Sequence, residues 1–145
     1  MPQISDEPEL EFIRECVLLG RRWRAKIDER LKPSGLTLAR STVLYWLAQV
    51  PDVVTQRELA DLVGIEGPTL VRQLHALEGQ GLIERVAVAH DRRAKGIRLT
   101  DKAKPMIESL REITRLTSEE YLSRLDKRRL SSATRLLNEA RTALD

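Results

Sequence analysis

The sequence predicts a mainly α-helical protein with one small β-hairpin, an α+β fold whose elements follow the order α-α-α-α-β-β-α-α. Most of the 145 residues repeat their apolar positions every three or four residues, which is typical of amphipathic helices. Alternation with a period of two is largely confined to residues 82–99, where it favours two short strands. Prolines and glycines stand between these segments, at the positions where one element is expected to end and the next to begin.

Two helices are predicted in the first part of the chain. Residues 9–32 carry two adjacent apolar stripes, and Pro33 and Gly35 end that helix. A second helix is predicted from about Thr37 to Gln49, and Pro51 stops it. Two stripes on one helix are more than one packing partner requires, so the first helix is expected to pack on more than one side.

A pair of shorter helices follows. Thr55 and Glu58 form a capping box, in which each side chain bonds the backbone N–H of the other, and this box opens a helix through Val63. Gly64 supplies a tight turn, and a further helix begins near Gly67–Pro68, since proline is tolerated at the first helical position. The inward positions of that helix are Leu70, Val71, Leu74 and Leu77, and it ends at Gly79-Gln80-Gly81.

The hairpin and two long helices complete the chain. Residues 82–88 are predicted as a strand, Ala89 to Lys95 as a loop and Gly96 to Leu99 as the returning strand, with at most a short extra strand near Val53–Val54. Thr100 is predicted to cap the long amphipathic segment that follows. The last helix carries a heptad-like seam of Leu130, Ala133, Leu137, Ala140 and Leu144.

Composition limits the class of protein. With 145 residues and 41% hydrophobic content, the chain suits one compact domain or two small interdigitated units. No apolar run reaches the length of about eighteen residues that a membrane span needs, and the start does not resemble a signal peptide, so a cytoplasmic protein is expected. The single cysteine excludes an intramolecular disulfide and a Cys-rich metal site. No nucleophile–base pair, phosphate loop or cofactor motif is present, so we expect neither an enzyme nor a cofactor.

Positive charge is concentrated around the hairpin. Between Arg85 and Lys104, seven cations stand beside two anions, a local charge of +5, whereas the remaining chain has 18 cations and 20 anions. A local cationic patch on a nearly neutral body is typical of nucleic-acid binding. The alternative is a basic loop that is merely solvated.

The spacing of Ala60, Gly64 and Leu70 fits a helix-turn-helix, with a small residue where the helices cross, a glycine at the turn and an aliphatic anchor on the second helix. A steep angle lets the second helix enter a DNA major groove, which is about 12 Å wide. Its expected exposed positions are Glu66, Pro68, Thr69, Arg72, Gln73 and His75. The threonine, the arginine and the glutamine among them can contact base edges or phosphates. Together with the cationic hairpin, this predicts a winged helix-turn-helix; the alternative is an ordinary helical hairpin.

Several segments resemble the MarR family of bacterial regulators. They are Gln56-Arg57-Glu58-Leu59-Ala60, Thr69-Leu70-Val71-Arg72-Gln73-Leu74, Leu77-Glu78-Gly79-Gln80-Gly81-Leu82-Ile83-Glu84-Arg85, and Asp91-Arg92-Arg93-Ala94-Lys95 with Leu99-Thr100. The stretches Trp23-Arg24-Ala25, Ile27-Asp28, Arg30-Leu31-Lys32-Pro33 and Ile65-Glu66-Gly67-Pro68 resemble its SlyA-like branch in particular. The resemblance covers roughly residues 10 to 140.

The resemblance implies a homodimeric transcription regulator, a repressor or an activator, that binds double-stranded DNA at pseudo-palindromic operators. Residues 1–35 and 101–145 are then the helical dimerisation domain, and residues 36–100 the winged helix-turn-helix DNA-binding domain. By the same resemblance, Pro68, Thr69, Arg72 and Gln73 of the recognition helix meet the bases or the backbone in the major groove.

The resemblance also assigns roles within the wing. Arg92 enters the minor groove, where narrow A·T-rich sequence concentrates negative potential that attracts a guanidinium. Arg93 and Lys95 neutralise phosphates. Asp91 orients a neighbouring arginine, the alternative being a simple turn former.

A small aromatic carboxylate is the effector that the resemblance implies, bound between the dimerisation helices and the winged lobe. The positions that line this crevice in the SlyA-like branch are Arg21, Arg24, Ala39, Ser41, Tyr45 and Arg72. An arginine beside apolar groups can pair bidentately with a carboxylate. The chain departs from the branch at Ala39, Ser41 and Tyr45, where mostly larger or polar groups are expected, and arginines that bridge the two domains without a ligand are the alternative.

Two other functions have some support in the sequence. Cys16 would make a redox-sensing regulator, but its neighbours on the helix are apolar, and burial among them would raise the pKa of the thiol and lower its reactivity. A winged-helix module that binds protein is the other alternative, and the cationic patch argues against it. His75 and His90 are too few and too far apart in sequence to predict a metal site.

Overall fold

The computed structural model describes residues 7–88 and 91–144, and of residues 91–94 it describes the backbone alone. The helices and strands of this part of the chain confirm the predicted fold class, a mainly helical protein with a small antiparallel sheet. They are α1 Pro8–Leu31, α2 Leu38–Leu47, β1 Val54–Thr55, α3 Gln56–Val63, α4 Gly67–Gly79, β2 Ile83–Val88, β3 Asp91–Leu99, α5 Lys104–Leu122 and α6 Lys127–Thr142.

The ends of the first two helices lie where the turn-forming residues predict. After α1, a 3-10 turn at Lys32–Ser34 is closed by Gly35, which takes a left-handed conformation with φ of 71°. Thr37 then caps α2, its hydroxyl oxygen accepting from the Arg40 N–H at 3.4 Å. Local backbone chemistry therefore sets both boundaries.

The sheet has the strand order β1-β3-β2, and both pairings are antiparallel. The two residues of β1 pair with Ile97 and Gly96 of β3, and Ile83 at the start of β2 pairs with Leu99. The short extra strand expected near Val53–Val54 is thus present as β1. Because β3 is the central strand, it pairs with β2 to form the hairpin and also with β1, which precedes α3.

The predicted loop from Ala89 to Lys95 is too long. Strand β3 begins at Asp91, and its register to β2 shifts between the pairs Ala87–Lys95 and Val88–Asp91, which marks a bulge or irregularity. Residues 91–95 are mostly polar, so no alternation of apolar side chains signals this part of the strand. Ala89 and His90 lie outside the described residues.

Thr100 occupies the N-cap position predicted for it, but its side chain bonds elsewhere. Its hydroxyl donates to the Gly81 carbonyl at 2.6 Å, and its N–H donates to the Leu82 carbonyl at 3.1 Å. Thr100 does precede a 3-10 turn at Asp101–Ala103, but makes no side-chain cap there. The hydroxyl thus bonds to a tertiary acceptor, and Thr100 joins the end of β3 to the segment between α4 and β2.

The chain forms two compact units, Met1–Ile113 and Thr114–Asp145. The apolar core lies in the first unit and includes Leu31, Leu44, Leu59, Leu70, Leu74, Leu77, Ile83, Ile97 and Ile107. In the second unit, α6 contains no buried residue. None of the helices in the described part of the chain has the length and apolar character that crossing a bilayer requires.

Candidate nucleic-acid interface

Local hydrogen bonds fix both ends of α3. The Thr55 hydroxyl and N–H donate to the Glu58 carboxylate at 2.7 and 2.8 Å, and the Thr55 hydroxyl accepts from the Glu58 N–H at 3.3 Å. The bonds from Thr55, the side-chain one foremost, lower the pKa of Glu58. Gly64 ends α3 in a left-handed conformation, φ 68°, with its N–H on the Ala60 carbonyl at 2.8 Å. The predicted capping box and glycine turn are confirmed.

Helix α4 is fixed by one face and presents the other outward. Leu70, Leu74 and Leu77 are fully buried, spaced so that they lie on one side of the helix. Of the predicted contact residues, Pro68 and Arg72 are exposed, whereas Thr69 and Gln73 are half-buried. All four occupy the first two turns of α4, so the structure brings them together at its N-terminal end.

The wing is the β2–β3 hairpin. Lys95 is exposed near the middle of β3. Asp91, Arg92 and Arg93 belong to β3 by their backbone, but their side chains lie outside the described part of the structure, and their proposed roles stay predictions. The lack of a side chain at Gly96 lets Val53 pack closely on the wing, as a Cβ on this glycine would stand 2.1 Å from Val53 Cγ1.

Much of the cationic patch is internally paired. Arg98 donates to Glu84 across the hairpin at 2.6 Å, Arg85 lies 3.3 Å from Glu78, and Lys104 lies 2.8 Å from Asp101. Glu84 and Glu78 lie outside residues 85–104, so the first two ion pairs offset part of the local charge of +5, whereas Asp101 is already counted in it. They are weak when exposed and can open in the presence of a phosphate.

Two of these cations also bear on local structure. Arg85, the more buried, donates in addition to the Gln56 side chain at 3.3 Å, so it joins β2 to the start of α3. The hydrogen bond from Lys104, aided by its charge, lowers the pKa of Asp101, and the same contact raises the pKa of Lys104.

A shallow groove contains a cation that the sequence analysis did not select. It is lined by Thr55, Gln56, Arg57, Ala60, Gly67 and Lys95, from the starts of α3 and α4 and from the wing. Arg57 is exposed there. The signal that could have found it is a cation in the first turn of a helix, where the helix dipole disfavours positive charge.

The candidate effector residues differ in their surroundings. Five of the six are exposed, namely Arg21, Arg24, Ala39, Tyr45 and Arg72. Ser41 is instead buried, and its hydroxyl donates to the Thr37 carbonyl at 2.9 Å. Arg40, which the sequence analysis did not select, has a buried Nε without a hydrogen-bond partner among the described residues. A buried guanidinium nitrogen of this kind is a stronger candidate for an anion than the Ser41 hydroxyl.

Cys16 is half-buried and free of any disulfide. Within the residues that the structure describes, no group of three or more His, Cys, Asp or Glu side chains is arranged to hold a metal ion.

Comparison with known proteins places this geometry among DNA-binding regulators. A family model described as MarR family matches residues 34–94. The crystal structure of transcriptional regulator PA3341 is 43% identical over 92% of this chain and 97% of that chain, with a TM-score of 0.85.

Two more distant structures share the fold. MepR of S. aureus in its DNA-binding conformation is 24% identical, covering 92% of this chain and 98% of that one, with a TM-score of 0.79. CouR of Rhodococcus jostii RHA1, bound to p-coumaroyl-CoA, is 21% identical over 97% and 95% of the two chains, with a TM-score of 0.78.

Proposed function

The chain belongs to the MarR family of transcriptional regulators, and on that premise we propose that it binds pseudo-palindromic operators as a homodimer. The observation that carries this proposal is the outward face of α4, with Pro68, Thr69, Arg72 and Gln73 on its first two turns. A helix anchored by one buried face and polar on the other can lie in a major groove. Two-fold symmetry then places half-sites about one helical turn, roughly 10 bp, apart.

Exposed apolar surface supports the dimer. Leu10, Ile13 and Val17 lie on one face of α1 and are 42%, 52% and 62% exposed. On α6, Leu136 and Leu137 are exposed as well. Apolar side chains along one helical face mark an interaction surface, which a second copy of this chain would cover. We assign residues 1–35 and 101–145 to this dimerisation domain and residues 36–100 to the DNA-binding domain.

We further propose that the chain belongs to the SlyA-like branch and that a small aromatic carboxylate is its effector. Arg21, Arg24 and Arg72 are exposed and can pair with a carboxylate, and the buried Nε of Arg40 adds a further donor. Selecting bound fragments from genomic DNA, with and without salicylate-like acids, identifies the operator and the effector in one experiment.

The substitution Arg92→Ala is expected to weaken operator binding by roughly 1–3 kcal/mol per half-site, because the minor groove loses an inserted guanidinium. The dimer is expected to stay intact, since Arg92 lies outside both proposed dimerisation segments. A mobility-shift titration with sizing of the free protein measures both effects. Unchanged affinity would refute the assignment of Arg92 to the minor groove.

The substitution Arg72→Ala is expected to cost roughly 1–3 kcal/mol and to relax the sequence preference at one operator position, because an arginine on α4 can bind a guanine edge bidentately. The measurement compares titrations on the operator and on single-base variants. If all sequences weakened equally, Arg72 would be a phosphate contact instead.

A further inference from the structure

We propose that the groove between α3, α4 and the wing holds one phosphate of the DNA backbone, with Arg57 and Lys95 as its cationic contacts and Gly67 as the point of closest approach. This proposal rests on the proposed operator binding and adds two residues, Arg57 and Gly67, to its contact set. The three residues come from separate parts of the chain, and the fold brings them to one groove.

Arg57 is free to bind an anion. It is exposed and makes no hydrogen bond or ion pair within the described part of the chain. The adjacent carboxylate of Glu58 accepts from both the hydroxyl and the N–H of Thr55, at 2.7 and 2.8 Å, so it is engaged away from Arg57. A cation in the first turn of a helix is disfavoured by the helix dipole, so Arg57 does not stabilise the start of α3. Such conflicts between a residue and its local structure are expected at functional positions.

Gly67 leaves the groove open on the side of α4. It is exposed, and a Cβ built there would meet no heavy atom within 4 Å outside its chain neighbours. A helical residue directly before proline disfavours a Cβ, which gives this glycine a local structural reason. The same lack of a side chain permits the close approach of another molecule's backbone. Lys95 contributes a second exposed cation to the same groove.

The chemistry of the groove fits a phosphate better than a base edge. Two cations at a shallow opening neutralise charge without the paired donors and acceptors that read a base. The phosphate contact is therefore expected to contribute the same binding free energy on every DNA sequence. Because a dimer has two such grooves, they account for about two of the counterions released on binding.

The test compares Arg57→Gln with the native dimer on operator DNA between 50 and 200 mM salt. The magnitude of the slope of log affinity against log salt is expected to fall by at most about 1.8, because Lys95 remains in each groove, so the deficit of the variant shrinks by up to roughly tenfold across this range. Operator and non-specific DNA are expected to weaken alike. Arg57→Lys, which keeps the charge, is expected to retain the slope and is the matched control.

Gly67→Ala tests the close approach of the phosphate. We expect its DNA affinity to fall several-fold because the methyl group displaces the phosphate. The melting temperature and the helix content are measured alongside, because a Cβ on a helical residue before proline is disfavoured. A native slope and affinity for Arg57→Gln, with the native chain still binding the operator, would overturn this groove and leave the proposed function standing. Absence of salt-dependent DNA binding by the native chain would instead overturn the proposed function. Stabilisation by inorganic phosphate that depends on Arg57, without any effect of Arg57→Gln on DNA affinity, would indicate a site for free anions and also refute the groove as a DNA contact.

Discussion

The substitution Gly96→Ala is expected to destabilise the protein by about 1–3 kcal/mol, as overpacking of a close contact does. A Cβ at this position would stand 2.1 Å from Val53 Cγ1, 3.2 Å from Val88 Cγ2 and 3.4 Å from Val86 Cγ2. Valine side chains are branched at Cβ and have few alternative rotamers, so they cannot move aside cheaply. The strain falls on the pairing of Gly96 with Thr55, which joins β1 to the wing.

A double substitution identifies the cause of this effect. Val53→Ala removes the methyl group nearest to the new Cβ, so it is expected to recover part of the loss when combined with Gly96→Ala, a coupling that a double-mutant cycle measures. Gly79→Ala is the matched control, because a Cβ there meets no heavy atom within 4 Å and stability should hold or rise. Thermal and urea unfolding give the values. A Gly96→Ala variant as stable as the native protein would refute the close packing of Val53 on β3.

The helical framework is predictable from sequence because its signals are local. The apolar period of three to four residues locates α1 and α4, and the side chains of Thr55 and Glu58 mark the start of α3 within one turn of chain. The left-handed Gly64 follows from the need for a tight turn. Each of these features depends on residues only a few positions apart.

Features that depend on partners distant in sequence could not be predicted. The Thr100 hydroxyl donates to the Gly81 carbonyl, nineteen residues away, and Arg98 donates to Glu84 across the hairpin. Counting charges along the chain therefore overstates the free positive charge of the wing region. Arg57 and Lys95 stand far apart in sequence and meet at one groove only because β1 and β3 pair, so no spacing rule could have joined them.

Dissociation of the dimer is expected to have a second large effect, on operator affinity. The double substitution Val17→Glu and Leu137→Glu places two carboxylates on helices whose apolar side chains are exposed in the single chain. Neither site is buried in one copy, so the fold of that copy should tolerate glutamate, whereas an interface would have to desolvate it. We expect a monomer at concentrations where the native protein is a dimer. Operator affinity is expected to fall by about 10²- to 10⁴-fold, because the second half-site is no longer bound intramolecularly.

Light scattering measures the mass of the variant, circular dichroism its helix content, and a mobility shift its affinity for the operator. Leu62→Glu is the control for the oligomeric state, since Leu62 on α3 is 40% exposed but lies outside both proposed dimerisation segments, and this variant should remain a dimer. If the double variant unfolds instead of dissociating, the native melting temperature must rise with protein concentration, because association stabilises the folded chain by mass action. A double variant that stays dimeric would refute the assignment of α1 and α6 to the interface. A folded monomer that binds the operator with native affinity would refute two-fold recognition itself, because both half-sites would then be bound without a covalent or dimeric link between the lobes.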